Sequence, residues 1–197
     1  TTDMFDLLDG QKADLIITSP PYMNNYHYIR NSRPHLYWLD LLASTTEVKE
    51  LEHQYFGLFW QTVRGLESIN LHFSNEKIER LMSELRLINV EKKYPGSTWA
   101  NYVAQYFNDT YLHFNEAFRS MTLGGRYYSV IGNSSIQGIR VPTHELVAEV
   151  AQSCGFKLIS IQSLRERVGS SYIDTGLRTA GSAPSKLSDF LVILEKA

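Results

Sequence analysis

Four consecutive residues, Ser19-Pro20-Pro21-Tyr22, bring together a hydroxyl, two ring-locked peptide units and a phenol. Proline nitrogen carries no hydrogen, so the carbonyls of Ser19 and Pro20 can point into a crevice instead of pairing in a sheet. The Ser19 hydroxyl donates or accepts, and Tyr22 offers a stacking face with a polar tip. Such a set suits the exocyclic amino group of an unstacked base, whose edge needs hydrogen bonds while its face is covered. Accepting both amino hydrogens localises the nitrogen lone pair, which can then attack an electrophilic methyl group. The plainer reading of the same residues is an ordinary Pro-Pro turn that ends a strand beside a tyrosine.

The element that must position this elbow is Ala13-Asp14-Leu15-Ile16-Ile17-Thr18, an apolar run of strand type. Leu15, Ile16 and Ile17 follow one another without alternation, which predicts a strand buried on both faces, as in a parallel α/β sheet. Each proline also pushes the preceding residue into an extended conformation. A stiff corner therefore stands at a strand's carboxyl end, where open α/β sheets bind ligands.

Thr18-Ser19-Pro20-Pro21-Tyr22 resembles the catalytic motif of the amino-methylating, S-adenosylmethionine-dependent DNA methyltransferases. Its Ser-Pro-Pro-Tyr form is that of the cytosine-N4 enzymes; adenine-N6 enzymes more often carry Asp or Asn first. The likeness continues through Met23-Asn24-Asn25-Tyr26-His27-Tyr28 and Arg33-Pro34-His35-Leu36-Tyr37-Trp38-Leu39. It resumes where Gly124-Gly125-Arg126 leads into Val130-Ile131-Gly132-Asn133-Ser134. It covers residues 1–40 and 97–197 but not the middle. The resemblance implies catalytic roles for Ser19, Pro20, Pro21 and Tyr22. It also implies contact between Asp3 and the cofactor's adenine; a solvated turn or cap is the other reading of Asp3.

At 197 residues the chain is one domain's worth, with 43% apolar and 20% charged residues and a formal charge of −2. That charge excludes a generally polybasic surface, so contact with nucleic acid must rest on a local patch. No apolar run reaches membrane-spanning length. A single cysteine and no secretory leader pattern lead to the expectation of a reducing cytoplasm. No His/Cys/Asp cluster has metal-ligand spacing.

Residues 23–38 interleave aromatic and basic groups, and Tyr26, Tyr28, Arg30 and Arg33 are candidates for unstacked bases and phosphates. Leu36, Tyr37, Leu39 and Leu42 equally suit the inner face of a helix. Residues 44–95 are expected to form a mostly helical insertion, a candidate target-recognition or cofactor-covering element between core parts 1–43 and 96–197. Ser44-Thr45-Thr46-Glu47 has capping-box spacing, and the stripe from Val48 through Leu51, Tyr55, Leu58/Phe59, Val63 and Leu66 to Ile69 predicts one helix. A second is expected from Asn75 to Ile88, lined by Ile78, Leu81, Met82 and Leu85. A third is capped at Ser97 or Thr98, carries Trp99, Val103, Phe107, Tyr111, Phe114, Phe118 and Met121, and stops at Gly124-Gly125.

Arg126 to Ile131 then reads as a strand whose carboxyl end shares an edge with Ser19. Asn133 at that end either touches cofactor or base or forms a turn. A helix from Pro142-Thr143 to Gly155 carries Cys154 as a small core residue. Carbon-5 cytosine methylation needs a Pro-Cys elbow, which is not where this cysteine sits. Lys157–Ser163 and Asp189–Glu195 read as the last strands. The intervening Arg165–Lys186 is a Gly/Ser/Thr-rich loop in which Arg165 and Arg167 could grip a DNA backbone, or which is solvated and disordered.

The expected fold is α/β, the back half of a Rossmann-like methyltransferase sheet with a helical insertion. No glycine-rich turn of the kind that approaches the cofactor's methionine part is found. The front half is therefore expected upstream of Thr1 or on another chain, with this chain alone inactive and its first strand left on an edge that invites a partner or a second copy. The function implied is methyl transfer from S-adenosylmethionine to a base amino group in DNA, cytosine N4 first. The alternatives are adenine-N6 or RNA methylation, or a non-catalytic nucleic-acid-binding or regulatory module of the same fold.

Overall fold

Ile16 and Ile17 are stiff, β-branched residues that favour extended backbone. With their neighbours they form strand β1 (Ala13–Thr18) in the computed structural model, which describes residues 4–23, 28–88, 95–167 and 187–197. A short turn of helix, α1 (Met4–Leu7), precedes β1, and the strand stops at Thr18, immediately before Ser19-Pro20-Pro21. Helices α2 (Tyr28–Trp38), α3 (Thr45–His53), α4 (Glu76–Arg86) and α5 (Gly96–Ser120) follow before the chain returns as β2 (Met121–Gly132). Then come a small hairpin, β3 (Ser134–Ile136) and β4 (Ile139–Val141), helix α6 (Thr143–Ser153), and strands β5 (Phe156–Arg167) and β6 (Leu187–Lys196).

The fold is α/β, with a four-stranded mixed sheet of order β1-β2-β6-β5. Strands β1 and β2 run parallel, as a helical crossover requires, with Thr18 opposite Ser129. Their carboxyl ends therefore share one edge, as the sequence predicts. The other pairings, β2–β6 and β6–β5, are antiparallel. Burial of β1 on both faces does not hold. Ile16 packs against the core, whereas Leu15 and Ile17 are 51% and 72% exposed. β1 is an outer strand of the sheet, and the helices α5 and α6 share a core with the other face only.

Helix α5 is buried over most of its surface, polar Asn101, Asn108 and Thr110 included, because neighbours pack on more than one side of it. One side meets the sheet through Phe114, whose ring lies 5.2 Å from Tyr127 and 5.7 Å from Phe156. Another side meets α4, whose Ile78, Leu81, Met82 and Leu85 are all buried. The two helices approach so closely that a Cβ on Gly96 would lie 1.9 Å from the Leu85 carbonyl oxygen, so only glycine fits there. Asn75 caps α4 as expected, accepting the N–H groups of Lys77 and Ile78, and its amide donates to Glu149 of α6. At the far end of α5, Lys196 Nζ donates to the Phe118 and Met121 carbonyls.

Three sequence expectations need correction. The helix begun at Thr45 ends at His53 and does not run to Ile69; Gly57 and Leu58 take positive φ values of 78° and 44°. The polar side of α5 offers the irregular segment better partners than a helix would. Asp109 accepts the Gly57 N–H at 2.7 Å, Asn101 that of Ile69 at 3.0 Å, and Asn108 that of His72 at 2.9 Å. Gly124-Gly125 does not stop α5, which yields directly to β2 at Met121; the pair lies in a bulge between the Ala13↔Met121 and Leu15↔Arg126 pairings. Strand β5 runs on to Arg167, so Arg165 belongs to a strand and not to a loop. The rest of that loop, from residue 168 to 186, lies outside the described residues.

Candidate active site

At the end of β1 the chain turns inward. Ser19 is exposed, Pro20, Pro21 and Tyr22 are half-buried, and Met23 is wholly enclosed in the core. Two tyrosines one turn apart on α5 hold this descent. The Tyr106 hydroxyl donates to the Pro21 carbonyl at 3.0 Å, and the Tyr102 hydroxyl donates to the Met23 carbonyl. Both rings are almost fully buried. Burial pushes the Tyr106 phenol well above its ordinary range, so it stays a neutral donor. The corner is thus rigid for two reasons: proline rings fix φ, and buried hydroxyls pair the carbonyls beyond Pro20.

Tyr106 is supported in turn by the irregular segment after α3. Phe56 packs edge-on against it at 5.6 Å, and Gly57 comes so close that a Cβ there would lie 2.9 Å from the Tyr106 ring. A cavity of about 240 Å³ opens behind this contact, lined among others by Gln54, Phe56, Gln105, Asp109 and His113. His113 Nε2 bonds the Tyr127 hydroxyl at 2.7 Å, and burial lowers its pKa to about 4, so the ring is neutral. Burial raises the Asp109 carboxyl, and the N–H groups of Gly57 and Gln105 that it accepts cancel only part of that rise.

The last strands carry a further ion pair. Arg165 Nε pairs with the buried Asp189 Oδ2 at 2.6 Å. That carboxylate raises the guanidinium pKa, first through the hydrogen bond and then through its charge, with a smaller contribution from the Tyr22 phenol. Asn133 links the end of β2 to β6: its side-chain oxygen accepts the Ser188 N–H at 2.7 Å and its own N–H donates to the Ser188 carbonyl at 3.1 Å. Cys154 ends α6 half-buried, its thiol pushed up to about 11 by burial.

Of the candidates for nucleic acid, Tyr28, Arg30 and Arg33 stand exposed on α2, with the Tyr28 ring 6.1 Å from Tyr55. Arg33 pairs with Glu52 of α3 at 3.2 Å. Asp3 and Tyr26 lie outside the described residues, as does the Arg167 side chain. Among the described residues, no group of three or more His, Cys, Asp or Glu is placed to hold a metal, and no helix is long and apolar enough to cross a membrane. Sequence reasoning missed Tyr102, Tyr106 and Asp189. The signal for the tyrosines was their four-residue spacing, which sets them on one face of α5 beside the Trp99-Val103-Phe107 stripe.

No protein-family model matches the chain. Over 180 residues it is 29% identical to Type II methyltransferase M.BsoBI of Geobacillus stearothermophilus, covering 83% of this chain and 35% of that protein. Over 167 residues it is 28% identical to Type II methyltransferase M.AvaI of Nostoc sp. strain PCC 7120, covering 80% of this chain and 34% of that one. A solved structure of a Thermus thermophilus protein named as a DNA modification methylase, in complex with S-adenosyl-L-methionine, aligns at a TM-score of 0.38. That alignment has 11% identity over 70% of this chain and 52% of that one, too distant to carry weight. The chain spans about a third of the length of the curated relatives it matches, and is similar over most of its own length to part of two type II methyltransferases.

Proposed function

We propose that this chain is the base-holding part of a DNA methyltransferase that moves a methyl group from S-adenosylmethionine to the exocyclic amino group of a flipped base. Cytosine N4 is the first choice, because a serine opens the elbow. The observation that carries the reading is the Ser19–Met23 corner, which presents Ser19 at the carboxyl end of β1 while Met23, Tyr102 and Tyr106 tie the following backbone down. The similarity to type II methyltransferases supports it.

In this reading the Ser19 hydroxyl and the Pro20 carbonyl accept the two amino hydrogens, and Tyr22 stacks on the base. Pro21 holds the backbone so that these groups need no reorganisation during reaction. S-adenosylmethionine would supply, when bound, a methyl group on a positively charged sulfur: as the amine nitrogen bonds to the methyl carbon the carbon–sulfur bond breaks to leave a neutral thioether, and the nitrogen's surplus proton passes to water, with no covalent enzyme intermediate. An acceptor-rich elbow suits the amine and offers little to the cofactor. We infer that Asp3 and a glycine-rich turn on another segment or a partner chain complete the cofactor site, so that this chain alone transfers no methyl group. The outer position of β1, with Leu15 and Ile17 exposed, supports the inference that a further strand or a second copy adds there. The substrate and the expected compartment are those of a modification enzyme acting on DNA in the cytoplasm.

The test is methyl transfer by the full-length protein to duplex DNA, followed by nucleoside analysis. N4-methylcytosine is expected, and Tyr22→Ala should lower transfer at least about a hundredfold, on the order of one lost positioning contact. N6-methyladenine or methylated RNA would redirect the substrate. DNA binding with no transfer under any cofactor supply would refute catalysis and leave a binding module.

A further inference from the structure

Arg30 and Arg33, which the sequence marks for nucleic acid, meet a third cation from α3 where α2 and α3 lie together. Arg33 Nη2 and Glu52 Oε1, 3.2 Å apart, tie the two helices. Beside that pair is an open cavity of about 350 Å³ whose lining includes Arg30 and Arg33 from α2 and Lys49 and Glu52 from α3. The next turn of chain adds the Thr62 hydroxyl and the Phe59 ring. Among the described residues that line it, Arg30, Arg33 and Lys49 stand with one carboxylate, Glu52, in a protein whose formal charge is −2. The excess is local, and its pattern is regular: Arg30 and Arg33 on one helix, Lys49 and Glu52 on the other, are each three residues apart and so share a face.

Such a cleft favours an anion with several oxygens. A guanidinium presents a planar fork to phosphate oxygens, an ammonium acts as a point charge, and a hydroxyl completes the set. Glu52 argues against a free, highly charged anion buried deep in the cleft, and it also keeps Arg33 oriented. The volume is about ten times a water's share of the liquid, more than one phosphate group fills. Phe59 supplies an apolar wall suited to a sugar or a base face. The cleft is also near the elbow along the chain. From Tyr22 to Arg30 is eight residues, which span at most about 29 Å when fully extended, less than one helical turn of duplex.

We propose that the cleft between α2 and α3 is a phosphodiester-binding pocket in which Arg30, Arg33 and Lys49 hold the DNA backbone within one turn of the base bound at Ser19–Tyr22. This rests on the reading of the elbow as a DNA base site. Phosphate contacts of this kind set register and orientation and carry no sequence information, so the pocket positions the duplex and does not choose the target.

The experiment is fluorescence anisotropy of the full-length protein with a labelled duplex between 50 and 200 mM salt, roughly the range over which counterion release is steep. Lys49→Gln and Arg30→Gln are each expected to weaken binding at every sequence tested and to flatten the slope of log K against log salt by about 0.9. Lys49→Arg should retain the wild-type slope. Thermal unfolding of each variant establishes that the fold is intact. Slopes unchanged in both glutamine variants overturn the proposal, and so does loss of affinity for inorganic phosphate with duplex binding intact. Methyl transfer measured on the same variants separates the two readings. Transfer abolished by Tyr22→Ala with salt slopes insensitive to the pocket sinks the pocket alone. Slopes that follow the pocket with no transfer at all sink the catalytic reading alone.

Discussion

Replacing Tyr106 by phenylalanine removes one oxygen from the interior and tests how the elbow is held. The ring stays, so its contacts with Phe56 and Gly57 are preserved and no large cavity forms. What is lost is the hydrogen bond of 3.0 Å to the Pro21 carbonyl, in a place where Tyr106 is 1% exposed. Leaving this half-buried carbonyl without its donor costs about 1–3 kcal/mol, nearer the lower figure to the extent that water replaces the hydroxyl. For a chain of this size that corresponds to a fall of about 3–9 °C in Tm. Tyr102→Phe does the same to the Met23 carbonyl one turn away. Because both hydroxyls grip one short segment, the double variant should lose less than the sum, with a coupling of at least about 0.5 kcal/mol. Thermal and urea unfolding of the four proteins measure all of this, and methyl transfer by the full-length forms should drop in kcat more than in KM. A Tm within about 1 °C of wild type for Tyr106→Phe, or strict additivity in the cycle, would refute the claim that α5 sets the elbow.

Two further outcomes follow from the burial pattern. His113 has a folded-state pKa of about 4 against an ordinary 6.5, so between those values the unfolded chain binds the proton and the folded chain does not. Stability therefore falls as pH drops from about 6.5 to about 4, by at most about 3 kcal/mol. Asp109, raised by burial, acts in the opposite direction at the acid end, so the measurement is the pH dependence of the Tm difference between wild type and His113→Gln; a difference constant across that window would refute the assignment. Ile17, 72% exposed on the outer strand, should tolerate lysine with a stability change within about 0.5 kcal/mol. If the edge recruits a second copy, Ile17→Lys shifts sedimentation toward the monomer, and a wild-type protein already strictly monomeric counts against self-association.

How much was legible in the chain varies with how local the cause is. The end of β1 is readable from Pro20 and Pro21, because a missing N–H and a fixed φ act within one residue. The start of α4 is readable from Asn75, whose side chain reaches the N–H groups of Lys77 and Ile78. The hairpin at Gln137-Gly138 is only weakly marked in the chain, by one glycine between isoleucines, since glutamine is not a usual residue for positive φ; in the structure both residues take positive φ, 52° and 83°, and join β3 and β4 in a type I′-like turn. The helix expected to reach Ile69 was misjudged for a non-local reason. Its apolar spacing is compatible with a helix, but Asn101, Asn108 and Asp109 on α5 bind its backbone in an irregular form.

From its residue types alone, the chain determines that a strand ends in a proline-locked corner with a serine and a tyrosine on it, since each of those constraints is covalent or nearest-neighbour. Only the tertiary structure decides that Tyr102 and Tyr106, some eighty positions further on, reach its carbonyls. It likewise decides that Leu15 and Ile17 face outward, that Arg165 is held by Asp189, and that α2 and α3 close on a basic cleft. Spacing along a helix or strand tells which side chains share a face. What that face meets depends on packing between distant segments, and no short-range preference encodes it.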